Sequence, residues 1–126
     1  MRSRPEMVRS PSTRDARKTL TLAIQAASDK KAENIVALDL RGLASFTDYF
    51  LICSGTSTRQ VQAIAEAILD TLEEHGTRPL HVEGETVAQW ILIDYGDLVV
   101  HIFEQSAREY YDLERLWRDA ERLPIP

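Results

Sequence analysis

A single cysteine, Cys53, excludes an intramolecular disulfide and any cysteine-cluster metal site, a usage that fits a reducing cytosol. No apolar run approaches the roughly eighteen residues that span a bilayer. The basic N-terminus has no apolar segment behind it of the kind a secretory leader needs. Neither a membrane protein nor a secreted one is indicated, and a cytoplasmic location is expected. Histidine is scarce: His75 falls at a helix end, His81 in a short strand and His101 in a hairpin, with no ligand spacing among them. There is no Gly-x-Ser-x-Gly and no His-Glu-x-x-His, and the lone thiol has no sequence partner that would lower its pKa. No catalytic residue, metal or cofactor is therefore assigned.

What is present is an ordinary globular balance, 44% hydrophobic and 28% charged over 126 residues, which predicts one domain with one core. The net charge of −5 hides an asymmetry. Residues 1–18 hold six basic and two acidic side chains, a net +4, and the remaining 108 hold nine basic and eighteen acidic, a net −9. A body that acidic is repelled by phosphate backbones, since nucleic-acid affinity comes mainly from Lys and Arg neutralising phosphates. Its natural partner is a basic protein, and no direct sequence-specific nucleic-acid binding is expected.

Residues 1–13 read as a flexible basic tail and residues 14–126 as the folded domain. From Arg14, with Thr13 as N-cap, helical spacing of Leu20, Ile24 and Ala27 runs to about Lys31. Residues 34–41 and 49–53 follow as strands, the second apolar throughout and so placed inside a sheet. Ser57 with Gln60 matches a capping box, opening a helix whose buried stripe is Val61, Ile64, Ala65, Ile68, Leu69 and Leu72 and whose stop is Gly76. Residues 79–84 then make a short strand, parallel to 49–53 across the helix. Ser106 and Glu109 give a second capping box, and Tyr110, Leu113, Leu116, Trp117 and Ala120 predict that the last element is a helix ending before Pro124. The whole reads as one α/β domain, a mixed five-stranded sheet with helices packed on it.

Residues 90–103, WILIDYGDLVVHIF, are the best-equipped stretch. A Gly-first two-residue loop at Gly96 and Asp97 would pair Trp90 with Phe103, Leu92 with His101 and Asp94 with Val99. Alternation then sets Ile91, Ile93, Leu98, Val100 and Ile102 on a purely aliphatic core face. The other face, with Trp90, Leu92, Asp94, His101 and Phe103, mixes aromatic, aliphatic, imidazole and carboxylate groups. That mixture looks more like a protein hot spot than a solvated catalytic cleft. Acid–base work by His101 with Asp94, or plain burial of the face under a helix, are the alternatives. Nucleotidyl transfer would need carboxylates sharing a face to hold metal, and Asp94 and Asp97, three apart across a turn, do not share one. The Ser54-Gly55-Thr56-Ser57 turn at a helix start would suit either a phosphate or simple capping, but lacks the lysine and length of a P-loop.

Five phrases together are specific: DL (39–40), SFTDYFLICSGTSTRQV (45–61), VEG (82–84), WILIDYGDLVVHIF (90–103) and REYYDLERLW (108–117). In that order and spacing, over roughly residues 16–117, the chain resembles the ribosomal silencing factor family, RsfS, also called Iojap-related. The resemblance implies a small α/β domain similar in fold to nucleotidyltransferases but without their catalytic carboxylates, and therefore no enzyme. It implies binding to the large ribosomal subunit through a ribosomal protein of the L-fourteen family, a block on subunit joining that represses translation, and a homodimer away from the ribosome. The family's docking segment matches Trp90 and Asp94 here, with Tyr95 where the family often has Leu. The partner-binding residues expected are thus Trp90, Leu92, Asp94, Tyr95 and His101. A metal-dependent nucleotidyltransferase and a homodimeric scaffold are the competing readings.

Overall fold

The computed structural model describes residues 12–126; of the tail expected over 1–13, residues 1–11 lie outside the described residues. Helix α1 (Ser12–Asp29) begins one residue before the expected cap Thr13, and its Ala16, Leu20, Ala23, Ile24 and Ala27 are buried at helical spacing. Strand β1 (Glu33–Asp39) returns through residues 40–48 into β2 (Tyr49–Gly55), whose seven residues are all buried. Their apolarity on both sides is what seats β2 inside the sheet, between β1 and the strand over residues 98–104.

Helix α2 (Thr58–Glu74) starts as its capping box dictates: Ser57 Oγ accepts from the Gln60 backbone N–H at 3.1 Å. The Gln60 side chain does more than cap. It accepts from the Thr56 N–H at 2.7 Å and donates to the carbonyls of Lys30 and Lys31, tying the end of α1 to the start of α2. Strand β3 (His81–Glu83) runs in the same direction as β2 but is not its neighbour, because β4 (Trp90–Asp94) and β5 (Leu98–Glu104) lie between them.

The sheet has six strands, not five, in the order β3-β4-β5-β2-β1-β6, with β2 and β5 as the parallel central pair. The sixth corrects the expected final helix. Helix α3 (Gln105–Tyr111) is capped by the Glu104 carboxylate and stops at Asp112, which adopts the left-handed conformation at φ 52°. One short turn, α4 (Leu113–Leu116), follows, and β6 (Glu121–Leu123) then pairs antiparallel with β1. Two forces outweigh helical continuation. Arg108, buried in α3, takes Glu114 from beyond the break as its bidentate partner, at 3.1 and 2.9 Å. The open edge of β1 also offers backbone groups that a strand satisfies and a helix does not.

Helices α1 and α2 cover one sheet face, where Ile91, Ile93, Leu98, Val100 and Ile102 are fully buried. The other face carries Leu38, Leu40, Phe50, Ile52, Val99 and Phe103, and over it lie the short C-terminal pieces, through Ala107, Leu113, Trp117 and Ala120, together with Ala44 and Phe46 of the 40–48 loop. Its β4 side is left half open.

Candidate functional site

The hairpin register is the one its two-residue loop requires: Trp90 opposes Phe103, Leu92 opposes His101, and Asp94 opposes Val99. Gly96 sits at φ 90°, the Tyr95 N–H donates to the Leu98 carbonyl at 2.8 Å, and Asp94 Oδ1 accepts from the Gly96 N–H at 2.8 Å. A second glycine sets where the site begins. Gly84, at φ 88°, lies so close to β4 that a Cβ on it would stand 2.1 Å from the Trp90 carbonyl oxygen.

Of the five residues expected to meet a partner, Trp90, Leu92 and Asp94 line up along β4 on the half-open face, each half-buried. Directly across from them on β3 are His81, opposite Asp94, and Glu83, opposite Leu92; both are exposed and joined by a 2.6 Å contact from His81 Nε2 to Glu83 Oε2. The edge is thus an aromatic and aliphatic stripe flanked by carboxylates.

His101 is not part of that exposed edge. It lies beneath Trp90 at 4% exposure, and its Nδ1 accepts a hydrogen bond from the indole Nε1–H at 3.1 Å. Burial pushes its pKa down to about 4, so the ring is neutral at physiological pH. With Nδ1 accepting, the proton resides on Nε2, which is buried without a hydrogen-bond partner. Tyr95 is turned away: it packs against the α1 and α2 face, its hydroxyl buried and unpartnered, and burial raises the phenol pKa. Strand parity alone separates it from Asp94.

Rings beyond the five expected partner-binding residues complete the floor and rim of the site. Trp90 stacks on Phe103 at 5.0 Å and meets Tyr111 at 4.6 Å. A chain of contacts continues from His101 to Phe50 at 4.5 Å, to Trp117 at 5.7 Å and to the exposed Phe46. Tyr110 and Leu116, expected at helical spacing along one last helix, are 81% and 73% exposed, and the chain turns between them at Asp112. The adjacent tyrosines carry no spacing signal that would have separated the single-helix reading from this one.

The thiol and the Ser54–Ser57 turn are otherwise engaged. Cys53 is fully buried and its thiol is pushed up to about 12. In the Ser54–Ser57 turn, Ser57 caps α2, the Thr56 N–H is taken by Gln60, and Ser54 Oγ accepts from Arg108 Nη1 at 2.6 Å. Among the described residues no group of three His, Cys, Asp or Glu side chains is placed to hold a metal.

Comparison with known proteins places this geometry in a family. Residues 13–126 match the family described as "Ribosomal silencing factor during starvation". The chain is 50% identical over 101 residues to the ribosomal silencing factor RsfS of Bacillus subtilis, covering 80% of this chain and 86% of that one. A crystal structure from Bacillus halodurans superposes with a TM-score of 0.78 at 44% identity, covering 86% of this chain and 99% of the other. One from Chromobacterium violaceum gives 0.80 at 35%, covering 86% and 90%. The chain belongs to the ribosomal silencing factor family.

Proposed function

We propose that this member of the ribosomal silencing factor family binds the large ribosomal subunit and represses translation by keeping the small subunit from joining it. The partner we infer on that subunit is a ribosomal protein of the L-fourteen family, met by the Trp90, Leu92 and Asp94 edge of β4. The reading is supported first by the relatives, which are named for silencing ribosomes and not for a reaction. The observation that carries the assignment of the surface is the posture of Trp90. Phe103 and Tyr111 pack against its ring, and its one polar group is turned inward to His101, so it offers a partner hydrocarbon alone. A half-buried, pre-packed indole is the kind of side chain that dominates protein interfaces.

Charge supports the same partner. The body beyond residue 18 carries a net −9, and Asp94 and Glu83 bracket the apolar stripe, which favours a basic protein surface in both encounter and register. Asp94 keeps Oδ2 for a Lys or Arg while Oδ1 holds the turn. Inhibition would be steric. A domain of this length has a radius of gyration of roughly 14 Å, enough to obstruct a close contact between subunits. No cofactor enters this mechanism, the site of action is the cytoplasm, and the unbound protein is a homodimer in this reading.

Sucrose-gradient sedimentation with separated subunits tests it. The protein is expected to travel with large subunits, not small ones, and to reduce the joined peak when both are mixed. Migration at the top of the gradient with either subunit would overturn the proposal.

A further inference from the structure

We infer that His101 is a positioning residue, which from beneath the docking face fixes the indole of Trp90 in the orientation a partner meets. This rests on the docking function proposed above and adds how its anchor is held. The surroundings of the imidazole are apolar on every side: Phe50 and Ile52 from β2, Trp90 and Leu92 from β4, Val99 and Phe103 on its own strand. None of these side chains titrates, and burial alone accounts for the lowered pKa. An aliphatic or phenyl group would fill such a place without burying an Nε2–H that has no partner, a burial that weakens the fold. What a histidine adds is the acceptor at Nδ1.

That acceptor has one donor, the Trp90 indole N–H at 3.1 Å. An indole nitrogen only donates, so the contact requires a bare Nδ1 and selects a single tautomer. The rings of Phe103 at 5.0 Å and Tyr111 at 4.6 Å restrain the plane of the indole, but apolar contacts of this kind leave open which of its edges faces inward. The hydrogen bond removes that freedom, turning the N–H inward and the hydrocarbon edge outward. Preorganising a rotamer-rich anchor lowers the ordering cost of binding.

The intact protein contains two indoles, Trp90 and Trp117, whose N–H signals in nitrogen-correlated NMR spectra give a probe and an internal reference. His101→Phe fills the space and removes the acceptor; His101→Asn returns an oxygen at the place of Nδ1. We expect His101→Phe to speed hydrogen exchange at the Trp90 indole by about tenfold relative to Trp117, and to weaken large-subunit binding by about tenfold, the worth of one such bond. His101→Asn should recover both. Unchanged Trp90 exchange in His101→Phe overturns the inference. Faster exchange with unchanged binding, while Trp90→Ala loses binding, also overturns it and leaves the docking function standing. Wild-type binding by Trp90→Ala removes the docking function itself. Should His101→Phe fail to fold, the wild-type imidazole nitrogen shifts decide: a bare Nδ1 supports the inference, and a protonated Nδ1 contradicts it.

Discussion

Holding His101 neutral has a consequence for stability that is separate from binding. Burial keeps its folded pKa near 4, whereas an unfolded chain protonates near 6.5. As pH falls, the unfolded state takes up the proton first. The contribution is therefore fully present above about pH 6.5 and is lost as pH drops through about 4, roughly 3 kcal/mol in all. Urea unfolding at neutral pH and near pH 4 should show that loss in the wild type and a smaller one in His101→Asn; equal acid losses would contradict it. Cys53 supplies a second residue-scale expectation. Its thiol, buried in β2 and pushed up to about 12, should react with maleimide only after denaturation, and rapid labelling of the native protein would show the strand to be more open than described.

At the scale of elements, β3 and β4 depend on a glycine. A Cβ at Gly84 would collide with the Trp90 carbonyl and sit at a positive φ. Gly84→Ala should therefore cost about 2 kcal/mol or more and displace Trp90, measurable as a lower unfolding midpoint together with weaker subunit binding. At the opposite corner Arg108 joins α3 to the segment beyond the break, bonding Ser54 and Glu114. Arg108→Met should cost about 2–3 kcal/mol, tempered by the partial exposure of Glu114, and should loosen β6, seen as faster backbone exchange over 121–123. The two corners differ in how legible they were. The hairpin follows from residues in reach of one another, since a Gly-first two-residue loop leaves one register and alternation fixes both faces. The break at Asp112 depends on a guanidinium fork reaching Ser54, fifty-four residues away in sequence, and on the vacant edge of β1. Neither leaves a local trace, so the apolar spacing of Leu113, Trp117 and Ala120 reads as a continuous helix although it serves a bent segment lying over the sheet. The candidate site divides in the same way: Trp90, Leu92 and Asp94 were readable as one face, but the depth of His101 is set by Trp90 and Phe50 closing over it. Tyr95 came only from the family resemblance, against the parity of its strand.

For the molecule as a whole, unequal cover of the sheet is what turns a fold into a surface. Two long helices seal one face, and the short pieces after β5 leave the β4 side of the other half open, on a body with a net −9 beyond residue 18. Attraction between that body and a basic partner should fall as salt rises, chiefly through a slower association rate, while the dissociation rate, set by the packed indole, changes little. The most direct measurement is the affinity of Trp90→Ala for isolated large subunits, with circular dichroism and unfolding confirming that the variant is folded. The expected loss is at least about 2 kcal/mol, roughly thirtyfold in dissociation constant. A folded Trp90→Ala protein that binds large subunits as tightly as the wild type would contradict it.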